Sequence, residues 1–138
     1  MESTESKILE IEQTSNVSSK TLLVVDDMDM NRFLLKQILM KNKNIIVIEA
    51  ENGKDAIDKL QSNKVDLILM DIMMPVMGGV DSMYHIRNVI KSNVPIVAVT
   101  AYDNYLHILS CNENSFNEIV SKPYKSKTIL DVIQKYIS

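Results

Sequence analysis

From Thr21 onward, short and nearly continuous apolar runs alternate with longer segments whose apolar residues recur at helical spacing. That alternation constrains the fold more than any other feature of the chain. The runs at 21–25, 45–50, 66–70, 95–100 and 116–121 are apolar enough to be strands covered on both faces, as central strands of a parallel sheet are. Between and after them the spacing predicts helices over 30–41, 54–62, 80–91, 103–111 and 126–137. The last of these places Leu130, Ile133 and Ile137 on one stripe, expected to face the sheet. Five βα units in succession give a doubly wound α/β fold, with helices on both faces of a five-stranded parallel sheet. The 138 residues, 46% of them hydrophobic, suit one domain with a real core. Residues 1–19 are polar apart from Ile8, Leu9 and Ile11 and read as an extension or linker, so the domain is expected to occupy 20–138.

No apolar run approaches the ~20 residues of a membrane span, and the first twenty residues do not resemble a secretory signal. The expected location is the cytoplasm, without membrane contact. Cys111 is the single cysteine and cannot form an internal disulfide. His85 and His107 lie on separate predicted helices with no acidic partner at metal spacing, which assigns them structural roles. A net charge of −3 offers no field for a phosphate backbone, so direct nucleic-acid binding is not expected.

Sites in doubly wound folds lie outside the carboxyl ends of the strands. Here those ends carry Asp26 and Asp27 after the first strand, Asp71 after the third, Thr100 at the end of the fourth and Lys122 after the fifth. Any one aspartate at a strand end is explained as well by helix capping or a turn. Five suitable residues at four strand ends are not. Three carboxylates held together repel, and a cation is the natural compensation. Oxygen-only ligands favour Mg²⁺, which retains waters and leaves room for phosphate oxygens. Asp71 is then the nucleophile that takes a phosphoryl group, Asp27 a direct ligand and Asp26 a metal-positioning acid. The Met73 backbone carbonyl completes the shell, Lys122 supplies counter-charge, and Thr100 donates its hydroxyl to a phosphoryl oxygen.

The segments Leu22-Leu-Val-Val-Asp-Asp27, Met70-Asp-Ile-Met-Met-Pro-Val-Met-Gly-Gly79, Ile96-Val-Ala-Val-Thr-Ala101 and Ser121-Lys-Pro123 resemble response-regulator receiver domains. The resemblance covers about 20–138 and implies a flavodoxin-like fold with strand order 2-1-3-4-5. It also implies a two-component phosphorelay function in which the chain catalyses only its own phosphoryl transfer and dephosphorylation. Asn31-Arg32 resembles the receivers of hybrid histidine kinases, which implies a histidine kinase or histidine-phosphotransfer protein as partner. Phosphorylation in such domains shifts a face made by the fourth helix, fifth strand and fifth helix, through which receivers also form homodimers. The family's aromatic switch position falls on Ile119, which has no ring to reorient.

Met73 and Tyr102 flank the acceptor as bulky residues and are expected to hinder an attacking water, prolonging the phosphorylated state. Met70, Met74 and Met77 read as core filler. Gly78-Gly79 reads as a turn before the third helix. Two rivals stand beside the main reading. One is a phosphatase of the haloacid-dehalogenase type with Asp27 as nucleophile, suggested by Asp27-x-Asp29 after an apolar strand but lacking that family's later acidic pair. The other is a receiver-like binding module that is never phosphorylated.

Overall fold

The computed structural model describes residues 19–101 and 114–137. The predicted helix over 103–111, with His107, Cys111 and the flanking Tyr102, lies outside them, as do residues 1–18. The described elements are β1 (Lys20–Val25), α1 (Asp29–Leu39), β2 (Ile45–Ala50), α2 (Gly53–Ser62), β3 (Leu67–Asp71), α3 (Gly79–His85), β4 (Ile96–Thr100), β5 (Glu118–Ser121) and α4 (Ser126–Ile137). All five strands pair in parallel in the order β2-β1-β3-β4-β5. This is the expected doubly wound sheet, with four helices among the described residues.

Side chains of successive strand residues point to opposite faces, so each apolar strand feeds two cores. One core joins Leu22, Val24, Leu69, Val97 and Val99 to α1 and α4, and the other joins Leu23, Val25, Ile68, Met70 and Ala98 to α2 and Ile86. In α4 the buried residues are Ile129, Val132 and Ile133, whereas Leu130 is 37% exposed. The expected stripe therefore needs correction. With apolar residues at 129, 130, 132 and 133, the sequence fits two phases of the helix, and packing on the sheet selects the one containing Ile129.

Several boundaries also differ from expectation. The third helix ends its regular part at His85 and continues through a wider π turn, Ile86–Ile90. Lys91, at φ 60°, closes that turn by donating its N–H to the Ile86 carbonyl. β5 begins at Glu118, and the fully buried Phe116 precedes it. Asp66 lies before β3, where its carboxylate accepts the Thr21 N–H at 2.8 Å.

Candidate functional site

The strand register assembles the site. Val25 pairs with Met70, so Asp26 and Asp71 are the next residues on neighbouring strands. Asp71 pairs with Val99 and Thr100 with Ser121, which carries Thr100 and Lys122 to the same carboxyl edge. Asp26, Asp27 and Asp71 each present a carboxylate oxygen, and these three atoms lie within 4.8 Å of one another.

Asp26 is only 2% exposed, and its carboxylate is fully engaged. It accepts from the Met28 N–H at 2.9 Å, from Asn31 Nδ2 at 3.2 and 3.4 Å, and from Lys122 Nζ at 3.1 Å. Lys122 also donates to the half-buried Asp71 at 3.4 Å, bridging the two acids. The other Asp71 oxygen accepts the Met73 N–H at 3.3 Å. Thr100 is buried, and its carbonyl accepts the Lys122 N–H at 2.7 Å, tying the two strand ends together. Asp27 and Met73 are exposed.

Burial pushes the Asp71 carboxyl above its ordinary value, and the Asp26 charge adds to this, while Lys122 and the Met73 N–H oppose it. Burial alone would depress Lys122, but Asp71 and Asp26 together outweigh it and raise the ammonium above its usual range. One lysine therefore does not compensate three carboxylates, and the donor set is all oxygen. Both features fit a hard divalent cation such as Mg²⁺.

The loop after Asp71 is shaped by close backbone approaches. No glycine adopts positive φ, and Gly78 sits at an ordinary φ of −76°. The pair is therefore needed less as a turn former than expected. A Cβ on Gly79 would overlap the Asp71 carbonyl oxygen, and one on Gly53 would lie 2.7 Å from the Met77 carbonyl oxygen. The Gly53 N–H donates to the Met77 carbonyl at 2.9 Å, and the fully buried Ser82 of α3 donates its hydroxyl to the Gly53 carbonyl at 3.1 Å, so α2 is tied to both the loop and α3. Met70 is buried and Met74 and Met77 pack partly buried against the same core, as expected of filler. Ile119 packs there too.

Residues that sequence reasoning left without a task appear here. Asn31 and Arg32 act on the acidic pair itself, through the Asp26 carboxylate and the Asp26 carbonyl respectively. Their position one turn into α1 was the available signal. Arg87 is engaged far from the site, donating to the carbonyls of Ser92, Val94 and Ser115 and to Asn117 Oδ1.

A doubly wound sheet with three carboxylates and a lysine at one edge defines a class of α/β protein able to bind a cation and an anionic group together. The sequence model of the response regulator receiver domain matches residues 22–134. The chemotaxis protein CheY of Bacillus subtilis is 31% identical over 117 residues, 85% of this chain and 97% of that protein. Histidine kinase P4 of Formosa agariphila is 35% identical over 108 residues, 78% of this chain but 8% of the kinase. The response regulator TrrA of Thermotoga maritima, solved in complex with Mg²⁺-BeF, superposes with a TM-score of 0.75 at 33% identity, covering 85% of this chain and 98% of that one. The chain belongs to the response regulator receiver family, whose members act in two-component signalling by accepting a phosphoryl group on an aspartate. Among the described residues no helix is long and apolar enough to cross a membrane.

Proposed function

We propose that Asp71 accepts the phosphoryl group, from a histidine kinase or a histidine-phosphotransfer protein, in the cytoplasm. The observation that carries this reading is the Lys122 ammonium bridging Asp26 and Asp71 beside three convergent carboxylates. Asp27, Asp71 and the Met73 carbonyl would hold Mg²⁺, with Asp26 positioning it. When bound, that ion offsets charge on the transferred oxygens. An Asp71 carboxylate oxygen attacks phosphorus, the donor's N–P bond breaks, and the imidazole leaves with the electron pair and takes up a proton. Lys122 and the Thr100 hydroxyl meet the new phosphoryl oxygens. The chain catalyses only this transfer and the later hydrolysis.

A docking face for the donor adjoins the acceptor. Met30, Phe33 and Leu34 of α1 are exposed, and a groove of about 610 Å³ runs between α1 and the segment after β5. Leu34, Ile38, Pro123, Tyr124 and Lys122 line it, so a partner seated there reaches the lysine that touches Asp71. The receiver unit is taken as 20–138, with 1–19 as an extension, and a homodimer through the face of the expected 103–111 helix, β5 and α4 belongs to the same reading.

The test is intact mass after incubation with a small acyl-phosphate donor, with and without Mg²⁺. A Mg²⁺-dependent gain of one phosphoryl group, absent in Asp71→Asn, is expected. A gain that survives in Asp71→Asn would move the acceptor to Asp27, and no gain in the folded wild type with either this donor or a phosphorylated histidine-phosphotransfer protein would favour an unphosphorylated binding module.

A further inference from the structure

Asn31-Arg32 is the one signature to which phosphoryl chemistry gives no task. The Arg32 side chain is 12% exposed and its guanidinium is committed in three directions. Nη1 donates to the Asp26 backbone carbonyl at 2.6 Å, Nε donates to Glu49 of β2 at 3.3 Å, and Nη2 donates to Asp29. Glu49 is held in turn by Lys36 at 3.6 Å.

The Asp26 carbonyl belongs to the same rigid peptide plane as the Asp27 N–H. A hydrogen bond on that carbonyl fixes the rotation of the plane, and with it the direction in which the Asp27 side chain leaves the backbone. Asp27 depends on this more than Asp26 does. The Asp26 carboxylate is clamped by Met28, Asn31 and Lys122, whereas none of the hydrogen bonds or ion pairs among the described residues reaches the exposed Asp27 carboxylate. Its aim is set by the backbone.

We propose that Arg32 is a positioning residue that aims the Asp27 carboxylate at the cation site, with Glu49 as the strut that fixes the guanidinium. The proposal rests on the reading of Asp27 as a metal ligand. A staple between α1 and β2 would need only the Arg32–Glu49 ion pair and would have no use for the Asp26 carbonyl. The planar fork reaches a carbonyl and a carboxylate at once in fixed directions, which an ammonium does not.

The experiment is Mg²⁺ titration calorimetry on the full chain, with urea unfolding of every variant to confirm that it is folded under the titration conditions. Residues that orient metal ligands typically change metal affinity by about 10- to 100-fold when removed, and Arg32→Gln is expected to weaken Mg²⁺ binding by about 10-fold. Glu49→Gln shifts affinity in the same direction by less, and Arg32→Lys restores only part of the loss. The discriminating arm is the double variant. In an Asp27→Asn background, Arg32→Gln costs no further affinity if it acts through Asp27. An unchanged dissociation constant in folded Arg32→Gln or Arg32→Lys, or an equal loss with and without Asp27, overturns the proposal. If the wild type fails to bind Mg²⁺, or Asp27→Asn binds it as tightly, the ligand reading itself falls and this inference falls with it.

Discussion

Gly79 lies flush against the Asp71 carbonyl, so close that a methyl group there would overlap the oxygen and come within 2.9 Å of the Ile72 Cα. Both contacts are backbone and cannot swing away. Gly79→Ala is therefore expected to destabilise the fold by about 1–3 kcal/mol, as overpacking does, and to displace the acceptor loop. Gly78→Ala meets its nearest atom, the Ile72 carbonyl oxygen, at 3.0 Å and should cost less. Urea unfolding of the two variants side by side checks the order.

The folded-state pKa of Asp71 is raised, so the folded protein holds this proton more tightly than the unfolded chain does. Such a group contributes stability below its unfolded pKa, and that contribution is lost as pH rises through the folded value. Asp71→Asn, which cannot ionise, is expected to melt higher than the metal-free wild type at neutral pH, with the gap closing toward acid pH. Mg²⁺ should raise the melting temperature of the wild type and do so far less for Asp71→Asn. Thermal melts across pH, with and without the ion, provide the measurement.

Arg87 holds together the far end of the sheet. Its guanidinium meets the Val94 carbonyl at 2.7 Å and the Ser115 carbonyl at 2.9 Å, and Asn117, which it also reaches, accepts the Ile96 N–H. Arg87→Met would strand several partly buried acceptors and is expected to cost about 2–3 kcal/mol. Arg87→Lys should recover only a minor part, because one ammonium does not reach the acceptors of both chain segments at once. Equilibrium denaturation decides between them.

Val76 carries the opposite expectation. It is 81% exposed at φ 67°, a left-handed conformation that a β-branched residue adopts only at a cost. Val76→Asn keeps the backbone and relieves the side chain, and it is expected to stabilise the protein by about 1 kcal/mol. A higher denaturation midpoint at unchanged slope would bear this out, and an unchanged or lower midpoint would count against it.

The central strands were legible because burial on both faces demands unbroken apolar runs, as in β4, where every residue is buried. Asp26, Asp27, Asp71, Thr100 and Lys122 were legible for a related reason: parallel strands bring their carboxyl ends to one edge whatever the chain does between. Contacts between distant segments were not. Arg87 carries no local signal of its role, since its acceptors at Ser115 and Asn117 lie 28 and 30 residues away. Gly79 looked like a turn former because its neighbour across the loop is invisible in a local reading. The phase of α4 was ambiguous because four apolar residues crowd one turn and a half.

The strand order has a consequence for how a signal leaves the site. β1 and β3, which lead into the acidic pair and the acceptor, are each flanked by strands on both sides, while β5, which leads into Lys122, has one strand neighbour among the described residues. Backbone held on two sides opens less readily than backbone held on one. The acids are thus mounted on the stiff centre of the molecule and the lysine on its more compliant margin. If a phosphoryl group is placed on Asp71, the strand order leads to the expectation that the margin carrying Lys122 yields before the centre carrying the acids.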